Sequence, residues 1–302
     1  MALRNPTLKF IQDLPLYERE KPYNLSYGTY NDGVATNVKN ETREVHLTDI
    51  RGREDQFSYA SNSFRFVTLP PHTTLDGTEQ AAVKYLEEIR EFLVSEFEAD
   101  KVIIYDIRQR TSSPMSNPLP TSKPASVDES YFGGTQAPAP PVYTVHVDHT
   151  LTGGFHRMRR HMMDDELATY ITKGWRARMV NVWKPEEPVS DAPLALCDLQ
   201  TLSFNDLLET DQVNMKYQGE IYSVRFNPNQ RFYYASDQQP TEAWVMVSFD
   251  SRDGEPLKEM KACAHGALQT SAGGVNAASP RRSVEVRAIV LNRIALDGIV
   301  VQ

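Results

Sequence analysis

Three residues have the types and spacing to hold a metal: His146, Asp148 and His265. The first two belong to VYTVHVD (142–148), a run of strict alternation. Residues two apart on a strand share a face, so an imidazole and a carboxylate point at one spot. A third ligand has to arrive from a later strand. His265, which closes the alternating stretch EMKACAH, meets that need. Two histidines and one carboxylate make a facial triad, which leaves positions on iron for a cosubstrate and oxygen. An H-x-D pair can equally be a satisfied polar pair at a strand end, so the motif alone is weak. His149 and His156 lie in or beyond the following turn and are expected to point elsewhere. His46 and His72 have no carboxylate at useful spacing.

Arg281-Arg282-Ser283 could complete such a site. A 2-oxoglutarate site needs a cation for the distal carboxylate, and the planar fork of arginine pairs with a carboxylate through two bonds. Ser283, on the same strand face as Arg281, could add a hydroxyl. Arg287 shares that parity, although an ion pair with Glu285 or a surface charge explains it as well. Arg282 points to the other face and is expected in solvent. Asn181 and Trp183 share a face on a strand expected to neighbour His146. They could line a substrate pocket, or be core with the amide satisfied internally. Tyr143 has the opposite parity to His146 and is expected to pack outside; one of Tyr233 and Tyr234 could reach the pocket. The basic run Arg157, Arg159, Arg160 and His161 could steer an acidic ligand or form a solvated helix face. No local sequence supports a Ser-His-Asp or Cys-His arrangement or a phosphate loop.

The elements that must position these residues are mostly strands. Alternating or apolar runs predict them at 43–50, 62–69, 102–107, 142–148, 177–184, 193–198, 243–249, 258–265 and 283–291. Residues 220–226 and 230–236 read as a hairpin around Asn227-Pro228-Asn229. Val83, Leu86, Ile89, Phe92, Leu93 and Phe97 recur at three- and four-residue spacing and predict a helix over 77–99. A second helix is expected over roughly 153–174. Residues 1–42 read as an extended aromatic arm that wraps the core, and 43–302 as one domain. Pro, Ser, Thr and Gly dominate 111–141, a long loop that could be a lid or a plain surface insertion. The pattern is mainly β with flanking helices. It suggests a jelly-roll barrel rather than a βαβ sheet.

The runs NVWKPEEPVSDAPLALCD (181–198), GEIYSVRFNPNQRFYYASDQQPTEAWVMVSFDS (219–251) and PRRSVEVRAIV (280–290), with VYTVHVDHT and ACAH, resemble one family. It is the fungal asaB-type hydroxylase/desaturase family, similar to the gibberellin desaturase and the cephem 7-methoxylase component. The resemblance covers roughly residues 20–295. It implies a double-stranded β-helix, Fe(II), O2 and, in the oxygenase members, 2-oxoglutarate as cosubstrate. It also implies that His146, Asp148 and His265 bind the metal and that Arg281 and Ser283 bind the cosubstrate. The implied reaction is hydroxylation, desaturation or oxidative cyclisation of a secondary metabolite through hydrogen abstraction. Two departures fall near the substrate side: Arg282 stands where the family usually has an acidic residue, and the loop GALQTSAGGVNAAS is rich in Gly and Ala. Two other readings stay open. One is a non-catalytic partner component on the same fold; the other is a cupin-type iron oxygenase without 2-oxoglutarate.

Composition bounds the partners. The 302 residues carry a formal charge of −8 with no Lys/Arg-rich block, so nucleic acid is not expected as a partner. No apolar run approaches a membrane span, and the start lacks the apolar core of a signal peptide. Two cysteines are too few for a disulfide framework and fit a reducing compartment. The expected setting is cytoplasmic, with a small-molecule substrate.

Overall fold

Short runs of β-branched and aromatic residues, closed by Pro, Gly or Asn, make this chain a set of strands. The structure is a computed structural model and describes residues 5–25, 34–70, 72–113, 138–170, 174–214, 217–252, 262–269 and 280–293. In chain order the first strands are β1 (Thr7–Ile11), β2 (Tyr23–Leu25), β3 (Asn40–Glu44), β4 (His46–Asp49), β5 (Phe64–Thr68) and β6 (Lys101–Thr111). They are followed by β7 (His146–Val147), β8 (Trp175–Pro185), β9 (Leu194–Cys197), β10 (Leu207–Asn214) and β11 (Tyr217–Val224). The last are β12 (Arg231–Tyr234), β13 (Glu242–Asp250), β14 (His265–Ala267) and β15 (Arg282–Arg293). The α-helices are α1 (Glu79–Phe97), α2 (Leu151–His161) and α3 (Asp164–Tyr170).

Two sheets face each other. One has the order β2-β10-β11-β7-β14-β9-β12-β4 and the other β5-β13-β8-β15-β6. Between them pack Phe64, Phe66, Trp183, Leu196, Trp244 and Met246. This is the jelly-roll core. Helix α1 covers the outer face of the five-stranded sheet, with Tyr85, Leu86, Ile89, Leu93 and Phe97 on Val180, Val182, Val245 and Val286. Thr78 caps its start by accepting from the Ala81 amide. Val83, expected on the apolar face, is exposed, and Tyr85 takes the inward place. Across the molecule, β1 pairs with β3 and lays Leu8 and Phe10 on Val145, Val147, Val224 and Phe232. Of the arm's other rings, Tyr17 is buried; Tyr27 and Tyr30 lie outside the described residues.

Several expectations need correction. The strand over 142–148 shrinks to His146–Val147, because Tyr143 and Val145 bond to Lys9 of the arm. The stretch 43–50 divides into β3 and β4, and the second helix breaks between His161 and Asp164 into α2 and α3. The residues around Asn227 do turn, with Gln230 N–H donating to the Asn227 carbonyl at 3.0 Å. Yet β11 and β12 do not pair with each other. β11 lies between β10 and β7, and β12 between β9 and β4. Strand β8 does not neighbour β7 either; it pairs with β13 and β15 in the opposite sheet. The first half of the strand expected over 258–265, residues 258–261, lies outside the described residues.

The chain leaves β7 through a fixed corner. Thr150 caps α2 by accepting from the Gly153 amide at 2.9 Å, and its hydroxyl bonds to Glu220 of β11. A Cβ on Gly153 would stand 2.4 Å from the Glu220 carbonyl oxygen. That oxygen is backbone and has nowhere to go. Gly153→Ala is therefore expected to destabilise the protein by about 1–3 kcal/mol, the usual cost of overpacking. Urea unfolding measures it, and a midpoint at the wild-type value would contradict the tight corner.

Candidate metal centre

His146 and His265 are register partners in the β7–β14 pair, so the sheet itself brings the two rings together, with centroids 4.6 Å apart. Asp148 follows on the same face as His146, with Oδ1 3.5 Å from His146 Nε2. One ligand atom from each of His146, Asp148 and His265 lies within 4.8 Å of the others. Both rings are oriented from behind. His146 Nδ1 donates to the Thr144 carbonyl at 2.8 Å, and His265 Nδ1 to the Cys263 carbonyl at 3.1 Å. Those bonds fix the tautomer and leave both Nε2 lone pairs on one spot. Burial, and then the neighbouring His146, push His265 below its ordinary value, which keeps it neutral and able to ligate. His149 turns away, 3.2 Å from Tyr105 Oη. His156 is exposed.

Asp148 is held ionised. Burial alone would raise its carboxyl, but Arg287, His146 and His265 outweigh that and set it well below the usual range. Arg287 Nη2 donates to Asp148 Oδ1 at 3.3 Å and Arg287 Nε to Glu285 at 3.1 Å. The ion pair with Glu285 that parity allowed is present, inside the site rather than on the surface. Asn181 also serves the site and does not line an empty wall. Its Nδ2 donates to Asp148 at 2.5 Å and to Glu285 at 2.7 Å.

His146, His265, Glu285 and Arg287 line a pocket, with Trp183, Met246, Arg110 and Arg281 among its walls. Arg281 is buried with its ring partner Trp183 at 5.5 Å. Its Nη1 donates to the Ala192 carbonyl at 2.6 Å. Its Nε and the Ser283 hydroxyl are both buried with no hydrogen-bond partner. Burial, reinforced by Arg110, lowers the Arg281 guanidinium to about 10, still far above neutrality, so it stays charged. Unanswered buried donors are costly, and a carboxylate would answer both. The donor set therefore fits iron, and the orphaned pair fits a dicarboxylate beside it. Arg282 faces outward and pairs with Glu186 and Glu187, as its parity required. Tyr143 is half-buried under Lys9. Tyr233 bonds Asp198, and Tyr234 packs on the other face of the sheet; neither lines the cavity.

Sequence reasoning missed Glu285 and Arg110 as cavity residues. Glu285 has the same parity as Ser283 and Arg287, so the signal was there. Arg110 enters only because it is the register partner of Ser283.

Two facing sheets around a His-Asp-His cluster, with an unanswered arginine opposite, define a jelly-roll protein with the donor set of a non-haem iron enzyme. The chain belongs to the YDMC family, described as an oxidoreductase/YMDC permease-like domain, whose profile matches residues 8–291. It is 26% identical over 270 residues to the hydroxylase/desaturase efuI of Hormonema carpetanum, covering 85% of this chain and 86% of that one. It is 25% identical over 258 residues to the Fe(II)/2-oxoglutarate-dependent dioxygenase nvfI of Aspergillus novofumigatus, covering 82% of each. Among solved structures, it is similar to a variant of the iron and alpha-ketoglutarate-dependent endoperoxidase NvfI. The TM-score is 0.77 at 21% identity, over 96% of this chain and 97% of that one. No helix among the described residues is long and apolar enough to cross a membrane.

Proposed function

We propose that this protein is an Fe(II)/2-oxoglutarate-dependent oxygenase that hydroxylates, desaturates or oxidatively cyclises a small secondary metabolite. The observation that carries the reading is the pairing of a pre-oriented His-Asp-His cluster with buried, unpartnered donors on Arg281 and Ser283. His146, Asp148 and His265 would hold the iron. Arg281 and Ser283 would take the distal carboxylate of 2-oxoglutarate. Iron with 2-oxoglutarate and O2 supplies an oxidant strong enough to remove a hydrogen atom from an unactivated carbon, releasing succinate and CO2.

The chain's own residues supply position and exclusion. The histidine Nδ1 bonds to Thr144 and Cys263 keep both rings aimed before any ligand arrives. Trp183 and Met246 make the apolar walls of the cavity and limit water near the reacting centre. Arg287 pairs with both Asp148 and Glu285, so the buried Asp148 carboxylate needs no proton. The lid suggested for 111–141 turns on residues 114–137, which lie outside the described residues. The segment's ends are tied to the close of β6, where Thr111 and Ala139 exchange backbone bonds with each other and Gln109.

The unpartnered Nε of Arg281 and hydroxyl of Ser283 favour this reading over an iron oxygenase without 2-oxoglutarate. The complete ligand set favours it over a non-catalytic partner component. Both cysteines are free and buried, which supports a cytoplasmic, reducing setting. The direct test is succinate release by the purified protein. It should require added Fe(II), 2-oxoglutarate and O2 together, and rise with the true substrate from a panel of fungal metabolites. Substrate oxidation without 2-oxoglutarate would refute the cosubstrate.

A further inference from the structure

We propose that Asn181 is a positioning residue that lets Asp148 bind a metal through one oxygen only, and so keeps a coordination position open. The inference rests on the metal-centre reading above. The two oxygens of Asp148 lie in different surroundings. Oδ1 faces the ligand side, 3.5 Å from His146 Nε2, and accepts one longer bond from Arg287 Nη2 at 3.3 Å, which leaves it a further lone pair. Oδ2 is turned away and accepts from Asn181 Nδ2 at 2.5 Å.

The orientation of the amide is not free. Asn181 is fully buried, and its Nδ2 also donates to Glu285 Oε1 at 2.7 Å. Its Oδ1 accepts from the Ser248 hydroxyl at 3.3 Å. A flipped amide would set its oxygen against two carboxylates and lose both bonds. Asn181 comes from β8 in the sheet opposite β7, so it restrains Asp148 from outside the strand that carries it.

The restraint has a coordination consequence. A carboxylate with both oxygens available can close on a metal with both. On a six-coordinate iron, a triad with one oxygen from Asp148 leaves three positions. A chelating 2-oxoacid would need two of them, and a third would have to stay open. If Asp148 used both oxygens, that position would be gone. By engaging Oδ2, Asn181 prevents that closure.

Cobalt(II) is a suitable probe, because its affinity and visible spectrum report the ligands without turnover. The wild-type full chain should bind one Co(II) and show a spectral change when 2-oxoglutarate is added. Asn181→Leu should weaken Co(II) binding by about 10–100-fold, the usual effect of losing an outer partner of a metal ligand. It should also blunt the response to 2-oxoglutarate, while the metal-free melt stays cooperative. Asn181→Ala removes the same two donors and leaves room for water beside the carboxylates, so its loss of affinity should be smaller and in the same direction. Wild-type affinity and spectra in Asn181→Leu would overturn the proposal. If that variant does not fold, Asn181→Ala decides, and unchanged Co(II) affinity there overturns it equally. A wild-type protein that binds no Co(II) would bring down the metal-centre reading, and this inference with it.

Discussion

Alanine in place of His146, Asp148 or His265 should abolish succinate release and strip the protein of bound iron. Each supplies one atom of a cluster held within 4.8 Å, and no other histidine or carboxylate among the described residues joins that cluster. The loss of metal affinity should exceed the roughly 10–100-fold penalty typical of outer partners, since a bond to the metal itself is removed. The fold should survive, because the rings are oriented by backbone carbonyls and the strands by their ladders. Metal content and succinate release, measured beside a thermal melt, separate loss of the site from loss of the fold. Turnover at wild-type levels in His146→Ala or His265→Ala would remove the assignment altogether.

Arg281→Leu should act on the cosubstrate rather than the metal. Truncating one member of a buried, hydrogen-bonded charge pair costs about 2–5 kcal/mol. The KM for 2-oxoglutarate should therefore rise from about 30-fold to several thousandfold, with iron affinity little changed. Lysine at that position restores charge but not the planar fork and should recover only part of the loss. Ser283→Ala removes one neutral donor, worth about 1 kcal/mol, and should raise KM by only about fivefold. Activity retained in Arg281→Leu with no 2-oxoglutarate added would point to an iron oxygenase of another kind.

The ligands were legible because a strand's face can be read from parity. His146 and Asp148 alternate with buried valines, and Arg281, Ser283 and Arg287 follow one another along the inner face of the last strand. Helix α1 was legible for the same kind of reason, with Val83 the exception. What parity does not carry is which strand lies beside which. Asn181 was placed on the correct face but in the wrong sheet. Its amide reaches Asp148 across the core, not along a shared ladder. The turn at Asn227 was recognised, yet the strands on either side separate to different places in one sheet, as jelly-roll crossovers require. β10 went unseen, since LLETDQVN is polar and half-exposed along most of its length. Glu285 was read only as an ion-pair partner for Arg287, because a buried acid's place in a site depends on neighbours that arrive from distant sequence.

The site belongs to neither sheet alone. His146 and His265 come from β7 and β14 on one side, with Asp148 just after β7; Asn181, Ser283 and Arg287 come from β8 and β15 on the other, with Arg281 just before β15. In mechanical terms, a molecule gripped by both halves is a rivet through two plates. Its binding energy resists their separation and adds to stability only while the plates stay aligned. The converse follows. A small slip of one sheet over the other, too slight to melt either, would pull the anion grip away from the metal. Chemistry in such a protein fails at the joint before it fails in the parts.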